Sequence, residues 1–139
     1  MGKINVGRVI LGGLLAGLIV NIGETILNLV VLASEMEAIT TARNVPPVGG
    51  SAIAGFVIMC FGLGIAMVFL YAAFRPRFGP GPKTAAIVGV VVWVVTYAWS
   101  NVGDALMQLI PTGVMATALI WGFFESVLAS VAGAAVYKE

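Results

Sequence analysis

Histidine is absent from this 139-residue chain, cysteine occurs once, at Cys60, and charged residues make up only 9%. The lone cysteine excludes a disulfide framework. Together, the two shortages exclude Cys/His zinc sites, histidine-ligated haem and a Ser-His-Asp triad. The scarcity of charge says more. With 60% hydrophobic residues and a mean hydropathy of +1.09, the chain has too little polar surface for a soluble globular domain of its size. A net charge of +1 leaves no basic field for nucleic acid. No nucleotide-binding loop is present, since the Gly79 to Gly81 cluster lacks the strand and helix such a loop needs. No residue pattern names a cofactor.

What is present is apolar length. Four runs are long enough to span a bilayer, at about residues 9–33, 52–74, 84–110 and 114–137. They predict an all-α polytopic membrane protein, with residues 1–139 as a single transmembrane domain. Lys3 and Arg8 ahead of the first run resemble a signal peptide. That run is about twice the usual 7–15-residue apolar core, however, and holds Glu24, so it reads as a span. Residues 34–50, with two prolines and two glycines, read as a loop that could contain a short helix from Glu35 to Arg43. Cys60 reads as a small apolar residue. Pro76, Pro80 and Pro82 place residues 75–83 in a basic turn, so that all six prolines fall outside the spans.

Lys3, Arg8, Arg75, Arg77, Lys83 and Lys138 fall on one side of this plan and only Arg43 on the other. The asymmetry predicts a cell-membrane protein with both termini cytoplasmic.

The first and third spans share a motif. Asn21–Val30 reads NIGETILNLV and Asn101–Ile110 reads NVGDALMQLI, with three identical and six conservative columns. In each copy an acid and two amides fall at i, i+3 and i+7, which makes a polar stripe on a helix: Asn21, Glu24 and Asn28, then Asn101, Asp104 and Gln108. Because the first and third spans run the same way, the motif predicts a parallel duplicated helical hairpin (2+2). Its two acids should face a common interior at similar depth. A third acid, Glu125, lies near mid-depth in the fourth span, and Tyr97 shares a face with Asn101, Asp104 and Gln108.

A carboxylate in hydrocarbon without a basic partner must be protonated, hydrated or neutralised by a cation. The expected site is therefore Glu24, Asp104 and Glu125 with Asn21, Asn28, Asn101, Gln108 and Tyr97. Oxygen and amide donors favour protons, hard cations or an organic ammonium over soft metals. The leading expectation is a transporter-like bundle binding one of these in an outward-facing acidic site. The alternative is a non-catalytic subunit or assembly factor of a larger membrane complex, whose polar stripes serve helix packing. Its partners would be the lipid bilayer and either further copies of the chain or other membrane subunits. Enzyme chemistry ranks last, because no nucleophile or oxyanion device accompanies the acids.

Overall fold

The computed structural model describes residues 3–138, and among them every regular element is helical. Helix α1 (Val6–Ile26) runs into a π-helical turn, Leu27–Val31. A short α2 (Ala33–Ala42) follows, in the stretch where the sequence allowed a short helix. Then come α3 (Gly50–Phe78) and α4 (Pro82–Trp93). A second π-helical turn, Val94–Ala98, joins α4 to α5 (Trp99–Leu106), and α6 (Thr112–Val136) closes the bundle. Four helical segments, Val6–Val31, Gly50–Phe78, Pro82–Leu106 and Thr112–Val136, are long and apolar enough to cross a membrane.

Local chemistry accounts for the ends. The Asn5 side chain caps α1 by accepting from the Arg8 amide at 3.2 Å. Pro82 begins α4, where its missing N–H costs nothing. Gly79 and Gly81 before it have φ of 82° and 121°, which side chains resist. The basic turn is shorter than its prolines imply, however. Helix α3 continues through Pro76 to Phe78, because the lost hydrogen bond falls in the last turn, and the Gly79 amide then closes on the Arg75 carbonyl at 2.9 Å. Pro76 therefore lies inside a helix, contrary to expectation. The third span also ends earlier than its apolar run. Helix α5 stops at Leu106, and Gln108 has a φ of 57°.

Helix α1 packs against α3 and α6, α4 packs against α6 and to a lesser extent α3, and α1 and α4 lie diagonally. The core is made of small and branched residues, including Ala16, Val20, Val68, Ala85, Val88 and Ala129, with Cys60 packed at its margin as an apolar residue. Backbones approach closely. A methyl group on Gly17 would lie 2.6 Å from the Phe61 Cα, so only glycine permits this α1–α3 contact. Large apolar side chains such as Leu18, Ile58, Phe69 and Leu128 point outward, as a lipid-facing surface requires.

The two ends of the bundle differ. At the end holding both termini, the Arg75 guanidinium lies 5.2 Å from the Tyr137 ring and 5.9 Å from the Tyr71 ring. There the Tyr137 hydroxyl also accepts from the Asn5 amide and the Tyr71 hydroxyl from the Gly81 amide. At the other end α2 lies across the bundle. Its Met36 and Ile39 join a separate apolar cluster with Leu27, Leu32, Val114, Ile110 and Trp121, and Arg43 donates to the Leu109 carbonyl.

Candidate functional site: two carboxyl groups on one phenol

Beneath that apolar cluster, three helical segments place one side chain each around a single oxygen. The Tyr97 hydroxyl oxygen lies 2.6 Å from Glu24 Oε1 and 2.5 Å from Glu125 Oε1. The outer carboxyl oxygens are also held. Asn28 Nδ2 donates to Glu24 Oε2 at 3.0 Å, and Trp121 Nε1 donates to Glu125 Oε2 at 3.2 Å. The result is a chain of five side chains, Asn28–Glu24–Tyr97–Glu125–Trp121, crossing from α1 to α6 through the third span. Glu125 is only 6% exposed, and Glu24 and Tyr97 are half-buried.

Backbone geometry makes the crossing possible. Tyr97 belongs to the π-helical turn Val94–Ala98 and Asn28 to the turn Leu27–Val31. A π turn inserts one extra residue per turn and redirects the side chains on it, which is why such turns recur at working sites. Asn28 also donates to the Glu24 carbonyl at 2.9 Å and Asn101 to the Tyr97 carbonyl at 2.9 Å, so side chains meet backbone acceptors next to both turns.

Two glycines make the space. A methyl group on Gly23 would overlap the Glu125 carboxyl group, and one on Gly122 would overlap the Tyr97 ring. Neither Gly23, Gly122 nor Trp121 was among the residues expected at the site. Trp121 had a legible signal in its i, i+4 spacing to Glu125. Single glycines are too frequent in membrane helices to be noticed.

The structure brings Glu24, Glu125, Tyr97 and Asn28 together and places the other expected residues elsewhere. Asn21 Nδ2 donates to the Gly17 carbonyl at 2.9 Å and to the Val57 carbonyl of α3 at 3.3 Å, so it ties α1 to α3. Asn101 serves its own segment. Asp104 is half-buried, and its carboxyl group makes no hydrogen bond among the described residues. Gln108 is exposed beyond the end of α5 and lines a surface groove with Glu35 and Arg43. Among the described residues no cluster of three or more metal-ligating His, Cys, Asp or Glu side chains exists.

Proton accounting limits what the chain of oxygens can be. Two hydrogen bonds through one phenol oxygen need two protons. The phenol supplies one and a neutral carboxyl group the other. With those two protons the unit is carboxyl, phenol and carboxylate, and no Lys, Arg or His in the hydrogen-bonded chain balances the carboxylate. That state has two forms. In one, Glu125 holds the carboxyl proton and the phenol donates to Glu24; in the other, Glu24 holds it and the phenol donates to Glu125. Shifting both protons along the chain moves the charge from one side of the bundle to the other without moving a heavy atom.

Compared with family models, with curated proteins and with solved structures, the chain matches none. The class defined here is a four-helix bundle of membrane-spanning proportions, built around a dicarboxyl–phenol unit.

Proposed function

We propose that this protein is a proton-binding, transporter-like membrane bundle in which Glu24, Tyr97 and Glu125 hold and relay protons. The observation that carries the reading is the pair of short contacts on one phenol oxygen, 2.6 and 2.5 Å, from carboxyl groups on two different helices. Pure packing needs only one carboxyl group per hydroxyl. A second buried acid adds the cost of desolvating another ionisable group and brings no new apolar contact. In this reading the bundle sits in the cell membrane with both termini cytoplasmic, so that Glu24 opens toward the outer half through Asn28 and α2. The one-sided placement of six of the seven basic residues supports that orientation. The 2+2 hairpin duplication is part of the proposal, supported by the repeated ten residues and by the strong α1–α3 and α4–α6 pairings.

The test is infrared spectroscopy of the purified protein in lipid, together with proton flux into vesicles holding a pH-sensitive dye. The wild type is expected to show a neutral-carboxyl C=O band at pH 7 and a flux above that of empty vesicles. Both should disappear in Glu24→Gln and Glu125→Gln and persist in Asp104→Asn. A wild type without the band, or flux equal in all variants, overturns the reading.

A second reading, a subunit of a larger assembly, has its own support. Residues 50–59 of α3 are exposed throughout, and α5 packs mainly on α6 and its own π turn. A partner's helices, or a second copy, would cover those faces. Stable co-purification with another membrane protein and no proton flux would favour it.

A further inference from the structure

The proton-binding reading leaves a cavity unused. Between α1 and α6 runs a groove of about 560 Å³, the size of a small-molecule site. Ile22, Ile120 and Phe124 wall it, and all three are exposed on the lipid-facing surface. At its floor lie Gly23, Trp121 and Glu125. An apolar groove open to lipid would ordinarily fill with an acyl chain. This one ends on an acid whose hydrogen-bonded chain holds no Lys, Arg or His.

We infer that the groove binds a single-chain primary ammonium ion, entering sideways from the bilayer, with its nitrogen at Glu125 and its apolar chain along Ile22, Ile120 and Phe124. The inference rests on the dicarboxyl–phenol unit proposed above and adds a ligand class to it. Charge complementarity selects a cation, because the unit's carboxylate has no basic partner in the hydrogen-bonded chain. The trio Gly23, Trp121 and Glu125 selects the type of head. Glu125 Oε2 lies so close to Gly23 that a Cβ there would overlap it, and it already accepts from Trp121 Nε1. With α1 against one side of that oxygen and Trp121 on another, little room is left at the carboxyl group, and a compact –NH₃⁺ group with three donors needs less of it than a trimethylated nitrogen, which is wider and has no donor. Among the described residues no Lys or Arg lines the groove to receive the phosphate of an aminophospholipid, which favours a free amine over a membrane lipid headgroup.

Binding has a consequence at the far carboxyl group. An ammonium ion in the groove draws the negative charge onto Glu125, so the carboxyl proton moves to Glu24 and the phenol donates to Glu125. No proton is gained or lost. The position of the carboxyl proton, on Glu24 or on Glu125, then reports whether the groove is occupied.

Calorimetry on the protein in lipid nanodiscs, with empty nanodiscs subtracted, tests this with hexylamine, hexyltrimethylammonium and hexanol. The expected result is saturable binding of one hexylamine per chain, at least tenfold tighter than either of the other two. Glu125→Gln should weaken it at least tenfold. Ile120→Trp, a substitution on the outer wall where the side chain is 63% exposed, should block the groove and also weaken binding while leaving the neutral-carboxyl band in place. If Glu125→Gln fails to fold, the Ile120→Trp result decides. Hexylamine binding no better than hexanol overturns the groove, and equal binding of the trimethylated probe overturns the primary head. Either result with the carboxyl band present leaves the proton reading standing, whereas loss of the band in wild type sinks that reading by itself. Infrared spectra of aminophospholipid nanodiscs without added amine distinguish the lipid source: a spectrum already shifted to the amine-bound form would overturn the choice of a free amine.

Discussion

Residues 21–30 and 101–110 are near-copies in sequence and have little in common in environment. In the first copy Gly23 lies against Glu125, Glu24 meets Tyr97, and Asn28, on a π turn, holds the second oxygen of Glu24. In the second, Gly103 faces open space, Asp104 bonds to no side chain among the described residues, and Gln108 lies beyond the helix end. The difference arises from which helices are neighbours and where the backbone leaves α geometry. Helix α1 has α6 beside it along the motif, so Gly23 and Glu24 meet an acid on the facing helix. In the third span the π turn comes before the motif, at Val94–Ala98, and the helical segment ends five residues sooner in the motif's register, at Leu106 rather than Val31. The motif specifies a polar stripe; its neighbours decide whether that stripe becomes a site.

The comparison breaks most sharply at the glycines. Gly23→Val would drive a branched side chain into the Glu125 carboxyl group and push α1 from α6. It should lower unfolding free energy by about 3 kcal/mol, the upper range for overpacking. Gly103→Val should stay within about 0.5 kcal/mol, since nothing lies within reach of its side chain. Thermal unfolding in detergent, read by loss of the monodisperse species, compares the pair directly. Equal losses would mean that the copies are equivalent and that α1–α6 packing is not special.

A smaller effect is expected at the acids' partner. Tyr97→Phe removes the hydroxyl that links Glu24 and Glu125 and should cost about 2 kcal/mol, the price of leaving buried polar groups unpaired. Asp104→Asn has no bond to lose and should change stability by less than about 0.5 kcal/mol. A Tyr97→Phe variant as stable as Asp104→Asn would reduce the dicarboxyl–phenol unit to an incidental contact.

The parts of this structure legible in the sequence are those that composition controls. Four apolar runs correspond to four helical segments, and the short helix expected from Glu35 to Arg43 is present as Ala33–Ala42. Carboxyl groups in apolar runs marked Glu24 and Glu125 through the cost of burying them. Helix ends were less legible. Hydropathy stops at Phe74 while α3 adds another turn through Pro76, and it continues through Leu109 and Ile110 although α5 has ended. The pairing of the acids was not legible at all. Repetition pointed to Asp104 as the partner of Glu24, but the partner is decided by adjacency of α1 and α6 and by a π turn that aims Tyr97 between them, and neither leaves a trace in residue type.

The eighth motif position gives the smallest effect and the one with opposite signs. Gln108 holds a φ of 57°, where a side chain with a Cβ is strained and glycine is not. Gln108→Gly should therefore raise stability by about 0.5–1 kcal/mol, offset only in part by the greater freedom of glycine in the unfolded chain. At the matching position, Asn28 sits in helical geometry and donates to Glu24 Oε2 and to the Glu24 carbonyl. Asn28→Gly should lower stability by about 1 kcal/mol or more, since it loses both bonds and adds a flexible residue inside a helix. Thermal melts of the two variants against wild type give the answer as a sign. If both substitutions destabilise, position 108 is helical in the membrane and the third span continues to Ile110, which would restore the stripe of Asn101, Asp104 and Gln108 as a structural counterpart of the first copy.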